Sequence, residues 1–400
     1  MKATMKNKMD DEKITIAVID YSLRLQGFCK EWSVGLVQIM SILVIFVSGM
    51  ILGLAGSAHI SRYFARHDFF QAPQFVATRC KEDVVKVDCW SVENFVRPKK
   101  LAHGMTDAEL LWRASMVPQK AEYPFRRKPK VAFMFLTKGP LPLSLLWEKF
   151  FSRADKDLYS IYVHTPPYYE LNVSATSVFV GRQIPSQDVH WGSVDMVDGE
   201  KRLLANALLD FSNERFVLLS ESCIPVYNFD TIYNYLINSK HSFVDSYDDP
   251  SRYGRGRYNR RMLPDIKLSQ WRKGSQWFEA NREVAIHIIS DTKYYSIFRR
   301  HCWPSCYPDE HYIPTYLNMF YGSLNSNRSV TWVDWSKGGP HPVTFEGVNI
   351  TESFIRSIQN NGTECLYNDG MTPMCYLFAR KFAPSALEPL LNLTSTLMRF

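Results

Sequence analysis

Tyr307-Pro308-Asp309-Glu310-His311 is the segment of this chain richest in usable chemistry. Proline presets the backbone at a helix start, and carboxylates in the first turn are favoured by the positive end of the helix dipole. A favourably charged helix start would explain the pattern by itself. The functional reading makes Glu310 a general base that takes a proton from a substrate hydroxyl. A second cluster, Arg252-Tyr253-Gly254-Arg255-Gly256-Arg257-Tyr258-Asn259-Arg260-Arg261, interleaves guanidinium groups with aromatic rings and continues basic through Lys267, Arg272 and Lys273. Charge runs of this kind are commonly solvated loops. Arg255 and Arg257 could instead clamp an anionic donor or an acceptor, since an arginine fork matches phosphate and carboxylate oxygens. Arg380-Lys381 offers either ordinary surface charge or a cation that offsets a leaving diphosphate.

Divalent metal on a diphosphate usually takes one or two carboxylates. The one Asp-x-Asp of the chain, Asp155-Lys156-Asp157, precedes an apolar run and reads as a solvated turn. Cys302 with Cys306, and Cys365 with Cys375, are near enough to bridge locally; a zinc site would need a second Cys/His pair at metal spacing, and none is evident. There is no Gly-x-Gly-x-x-Gly and no phosphate-cradling loop before Lys-Ser/Thr. Ser222 lacks the flanking glycines of a nucleophile elbow. The net charge of +7 hints at anionic ligands. Aromatic residues make up 14% of the chain, which suits either a ring-rich core or sugar-stacking surfaces.

These residues need a frame. Lys130 to Thr137 is a continuous apolar run, the mark of a strand buried on both faces. Similar runs at Asp157–His164 and Arg215–Leu219 predict two more, and Ser177–Val180 a third. Leu143–Phe151, Lys201–Phe211 and Asp230–Leu236 have helical spacing. Strands alternating with helices predict a parallel α/β sheet with right-handed crossovers. Ligands in such sheets sit at the carboxyl ends of the strands, here Thr137-Lys138, His164-Thr165 and Ser220-Glu221-Ser222. Further on, Ser242–Asp245, a strand starting at Gln276-Trp277-Phe278, Val330–Val333 and Met374–Phe378 read as strands. Arg282–Ser290, Tyr294–His301 and Asp309–Met319 read as helices, and 248–273 as a long polar loop.

Between Trp32 and Ala58 there is no Asp, Glu, Lys or Arg. About 20 apolar residues in a helix span a hydrocarbon core, so 32–58 is expected as a retained signal anchor behind a cytoplasmic tail, 1–31. Five Asn-x-Ser/Thr acceptors, Asn172, Asn327, Asn349, Asn361 and Asn392, follow it and none precedes it. Seven of the eight cysteines also follow it, which favours an oxidising lumen and disfavours nucleic acid as a partner. Residues 59–127, with scattered prolines and a basic knot at Arg126-Arg127-Lys128, read as a lumenal stem, leaving 128–400 for the catalytic domain.

The ordered set Val131–Thr137, Ile161–Thr165, Phe216–Pro225, Gln276-Trp277-Phe278, Tyr307–His311 and Leu377–Phe382 resembles the core-2/I-branching β-1,6-N-acetylglucosaminyltransferase family over roughly 128–395. Trp332–Pro342 is similar to its plant-type branch. The resemblance implies a variant GT-A, Rossmann-like fold behind a single N-terminal transmembrane helix. It also implies type II Golgi topology, an inverting mechanism, a UDP-sugar donor, a glycan acceptor and no metal or other cofactor. By the same resemblance Glu310 matches the family's base and Lys381 its diphosphate-binding lysine, while Phe135, Thr137 and His164 fall where that family meets the nucleotide. The animal members carry an acidic residue in place of His164. A second diphosphate-binding arginine has no direct match, and Arg380 or Arg356 could substitute. Trp335 lies near an aromatic acceptor contact, and N-acetylglucosamine or glucuronate is the sugar implied. Two other readings are a membrane-anchored carbohydrate-binding scaffold without turnover, and a glycosidase, which would need a second carboxylate about 5–9.5 Å from Glu310.

Overall fold

The computed structural model describes residues 40–53, 101–120, 122–303 and 306–400. The chain divides into two units, Met1–Val87 and Asp88–Phe400. In the first, residues 40–53 are helical and exposed. Among the described residues no helix is long and apolar enough to cross a membrane. The expected tail 1–31, the anchor's flanks at 32–39 and 54–58, and the stem from 59 to 100 lie outside them.

The second unit begins its described part with α1 (Asp107–Ala114), then β1 (Lys130–Leu136), α2 (Ser144–Phe151), β2 (Tyr159–His164), α3 (Asp195–Leu208) and β3 (Asn213–Ser220). After β3 come β4 (Ile224–Pro225), α4 (Phe229–Ile237), β5 (Glu279–Asn281), α5 (Arg282–Ser290), α6 (Lys293–His301) and α7 (Pro308–Phe320). The chain closes with β6 (Thr331–Val333), α8 (Glu352–Gln359), the hairpin β7 (Cys365–Tyr367) and β8 (Gly370–Thr372), β9 (Phe378–Arg380) and α9 (Leu387–Leu393).

The main sheet runs β2-β1-β3-β5, the first three parallel and β5 antiparallel. In β1, Val131, Phe133 and Phe135 join one core cluster while Ala132, Met134 and Leu136 join the other. A strand alternates its side chains between two faces, so an unbroken apolar run is what a doubly covered sheet requires. On the first face Phe133 meets Trp147, Phe150 and Phe151 edge-on, with ring centroids 6.1, 5.9 and 5.0 Å away. On the second, α3 buries Leu203, Leu204, Ala207 and Leu208. Most of the aromatic excess is therefore core; Trp191, Trp303, Trp335 and Tyr168 are among the large rings left exposed.

Arg215 of β3 and Glu279 of β5 form a buried bidentate ion pair, Nε to Oε1 and Nη2 to Oε2 both at 2.7 Å. Arg215 also donates to the carbonyls of Ser239 and His241, at 3.2 and 2.8 Å. This closes the antiparallel edge of the sheet. Cys302–Cys306 and Cys365–Cys375 are disulfide-bonded, and Cys223 is free and buried.

Several sequence expectations change; Ser242–Asp245, for one, makes only isolated bridges, at Ser242 and Phe243. Ser177–Val180 is a set of turns closed by local bonds such as Val180 N to Ser177 O, 3.2 Å; only Gln183 bridges to β2. The strand expected from Gln276 begins at Glu279, where pairing with Val217 starts. The last strand begins at Phe378 rather than Met374, because the Cys365–Cys375 bridge ties the preceding residues into the β7–β8 hairpin. Arg380 thus ends the strand instead of following it. Finally, part of the expected stem is core: Leu101, Leu110 and Ala114 are buried with the α3 face, so the folded body starts before residue 128.

Candidate active site

Parallel register sets the floor of the site. Leu136 lies opposite both His164 and Ser220, so β1, β2 and β3 end level. A second small sheet, β4-β9-β6, brings Arg380 and Lys381 to the same edge: Ile224 pairs with Ala379, and Phe382 N donates to Ser222 O at 3.0 Å. Lys381 is half-buried. Its ammonium is held below the ordinary lysine range by burial, then by Arg380 and Lys138, with Glu221 opposing. Lys138, Arg380 and Lys381 therefore form one positive cluster at the carboxyl ends of the strands. Arg380 is partly buried with its guanidinium over the Trp277 ring at 4.1 Å, Cys223 and Glu221 act on its charge, and its Nε has no hydrogen-bond partner. A partly buried guanidinium with a free Nε beside an exposed Lys138 is suited to receive an anion.

Glu310 stands in the first turn of α7. Tyr307 takes a left-handed conformation (φ 53°) just before Pro308, which turns the chain into the helix. Glu310 Oε2 accepts from Arg257 Nη1 at 2.7 Å and from Lys273 Nζ at 2.6 Å. Burial pushes its carboxyl up, but Lys273 and then Arg257 outweigh burial and hold it below the usual carboxylate range. It is a fixed, ionised carboxylate at neutral pH.

Pro314 explains how Lys273 gets there. Proline has no N–H, so the carbonyl of Glu310, four residues earlier, loses its helical donor. Gly274 N supplies the missing bond at 2.8 Å. A Cβ on Gly274 would meet Asp245 O at 1.9 Å and Pro314 Cγ at 2.8 Å, so only glycine fits. The neighbouring Lys273 is paired through both backbone groups to Tyr247, at 2.9 Å each way. Side chain and backbone of Glu310 are thus both held by the same stretch of loop.

Aromatic rings line the approach. The Arg257 guanidinium lies 3.9 Å over the Tyr307 ring. Tyr307 meets Trp191 edge-on at 5.3 Å, and Trp191 lies 5.2 Å from His341. Trp335 is half-exposed in the turn closed by Gly338 N to Trp335 O, on the loop that carries His341. His311 is buried, and burial holds its imidazole down to about 4. Its Nδ1 lies 3.0 Å from Tyr307 O, an acceptor, so the neutral ring donates there.

Other expected site residues are used inside the protein. Phe135 is fully buried, its ring edge-on to Trp147 and Phe179, and is core rather than ligand surface. Thr137 is buried, its hydroxyl donating to Gly139 O and His164 O at 3.1 and 3.2 Å, which shapes the turn at the strand end. His164 Nε2 lies 2.8 Å from Arg202 Nη1; burial and then Arg202 hold its imidazole down to about 3, so it is neutral and accepts. Arg202 in turn grips Asp107 of α1 at 2.8 and 2.7 Å. Arg255 pairs with Asp248, and Arg356 with Glu352 one turn away; neither reaches Glu310 or Lys381 in these contacts. Of the two arginines weighed beside Lys381, Arg380 is the one at the edge.

The sequence reading missed Lys273 as a partner of Glu310, and Trp191 entirely. Pro314 four residues after Glu310 was the signal for the first; a lone tryptophan before a helix gives none for the second. Asp155 and Asp157 stand exposed around Lys128 at the start of β2, the opposite end of the strand from Lys381. All five sequon asparagines, Asn172, Asn327, Asn349, Asn361 and Asn392, are exposed.

The cation cluster at the strand ends and the ion-paired Glu310 are the candidate site, and the sequence places the chain among known enzymes. The chain belongs to the Core-2/I-Branching enzyme family of glycosyltransferases, which it matches over residues 131–359. It is similar to Glycosyltransferase BC10 of Oryza sativa subsp. japonica, 37% identical in an alignment of 310 residues that covers 66% of this chain and 76% of that protein.

Proposed function

We propose that the chain is an inverting glycosyltransferase that moves a sugar, N-acetylglucosamine or glucuronate, from a UDP-sugar to a glycan hydroxyl on glycoprotein or cell-wall polysaccharide. The observations that support this reading are an ionised Glu310 fixed by Lys273 and Arg257, and a Lys138–Arg380–Lys381 cluster at the carboxyl ends of the strands. The acceptor hydroxyl gives its proton to Glu310 while its oxygen bonds to the anomeric carbon. The bond from that carbon to the diphosphate oxygen breaks on the opposite face, and UDP leaves with the electron pair. Lys381 and Arg380 take up the developing negative charge, so no metal is needed. Arg257, with Trp335 at the periphery, faces the acceptor. The charge-free run 32–58 and the five exposed sequons beyond it support a single-pass type II Golgi protein with this unit in the lumen.

The test is UDP release and glycan transfer by the full-length protein with a panel of UDP-sugars. Activity is expected to survive excess EDTA, and Lys381→Ala to lose about 10²–10³-fold in rate, as when one charge-stabilising group is removed. Activity abolished by EDTA and restored by Mn²⁺ would sink the lysine-for-metal mechanism; no turnover with any donor would sink the enzyme reading.

Glu310 also fixes the acid limb of the rate profile. Its lowered position keeps it ionised to lower pH than a free carboxylate. Lys273→Met removes the nearest positive charge, so the limb is expected to move to higher pH. An unmoved limb would show that another group titrates there.

A further inference from the structure

Arg257 holds Glu310, and the cations continue outward from it. The Tyr253 ring has the Arg257 guanidinium 5.7 Å away and that of Arg252 4.7 Å away. Further along the loop, Asn259 Nδ2 donates to His301 O at 2.8 Å. That bond sets the turn of Arg260 and Arg261 against the end of α6 that carries Arg300. Residues 248–273 hold eight basic side chains against three acidic ones, so +5 of the chain's net +7 belongs to this loop. Arg255 is paired with Asp248, and Arg257 and Lys273 with Glu310. Arg252, Arg260, Arg261 and Arg300 are exposed, and among the described residues none of the four forms an ion pair.

Charge runs are commonly solvated and loose. This loop is instead built into the fold. Its Met262, Ile266 and Trp271 are buried. Trp271 Nε1 donates to Gly254 O at 3.1 Å, and Arg255 N to Asp249 O at 2.8 Å. A Cβ on Gly254 would meet Asp249 O at 2.3 Å, so only glycine closes this turn. Like charges held side by side repel, and a polyanion laid across them offsets that cost. Guanidinium forks match carboxylate oxygens. The same surface exposes the rings of Tyr253 and, two residues beyond His301, Trp303, against which the apolar face of a sugar can pack. We infer that the acceptor is an acidic glycan, a chain bearing uronate carboxylates. Its length beyond the reacting sugar runs over Arg252, Arg260, Arg261 and Arg300. The inference rests on the glycosyltransferase reading and assigns a charge to its acceptor.

The test is calorimetric titration of the full-length chain at low salt with UDP, hexagalacturonate, uncharged galactohexaose and hexaglutamate. Hexagalacturonate is expected to bind about tenfold more tightly than galactohexaose, to bind ahead of hexaglutamate, and to weaken as salt screens the exposed charges. Arg260→Gln combined with Arg261→Gln is expected to remove most of that preference and leave UDP affinity unchanged. A chain that binds UDP but takes both hexasaccharides alike overturns the inference and leaves the glycosyltransferase reading intact. Hexaglutamate bound as tightly as hexagalacturonate does the same, since the patch is then a site for acidic peptide. A double variant that folds and keeps the wild-type preference overturns it also, and the wild-type comparison decides even if that variant fails to fold. Failure to bind UDP overturns the enzyme reading, and this inference with it.

Discussion

Glu310→Gln is expected to lower transfer by about 10²–10⁴-fold, the usual range for losing a general base. The amide is nearly the same shape and can still accept from Lys273 or Arg257, so α7 and its loop should keep their positions. What is lost is the charge that draws the hydroxyl proton. On the proposed reading UDP is held by Lys381, Arg380 and Lys138, so its affinity should change little. The combination is diagnostic: a fall in turnover with retained nucleotide binding assigns a chemical role to Glu310. Equal losses in both would assign a structural one, and wild-type turnover would remove Glu310 from the mechanism.

The second large effect is on stability. Arg215→Ala leaves Glu279 buried at the sheet edge without its counter-charge, and removing one partner of a buried pair typically costs about 3–5 kcal/mol. Burial already pushes the Glu279 carboxyl up against the opposing pull of Arg215, which shows how much the pair depends on its geometry. For a domain of this size the melting temperature should fall by roughly 6–20 °C. Replacing both residues by methionine should cost far less, because neither charge is then stranded. A melting temperature unchanged in Arg215→Ala would mean that Glu279 finds another partner or takes up a proton at little cost.

The sheet was legible in the sequence because β1, β2 and β3 are covered on both faces, and double coverage writes itself as unbroken apolar runs. Helix α5, Arg282–Ser290, was legible to the residue, since Asn281 caps it by accepting from Val284 N at 2.9 Å. Ser177–Val180 misled because a short apolar run fits a turn as readily as a strand when no neighbour pairs with it. Glu310 and Lys381 were singled out because one opens a helix after proline, the other lies at the last buried strand, and both match the family's motifs. The partners of Glu310 were not: Arg257 and Lys273 were read as parts of a basic loop, and they meet Glu310 from 53 and 37 residues away, an approach that sequence distance does not record. Phe135 and His164 illustrate the reverse: their positions were right for a strand end, but their side chains point into the fold.

Pro314 has one more consequence, for motion. Because Gly274 N replaces the donor that Pro314 lacks, the loop's backbone is one rung of the helix that carries Glu310. Swinging residues 273–274 outward would strip that carbonyl of its bond, a penalty of about 1–3 kcal/mol where water cannot replace it. The arginine-rich segment looks from its charge like a free lid, yet its far end is bolted. Arg257 ties the middle of the same segment to Glu310, so the carboxylate and both of its cations hold together as one unit.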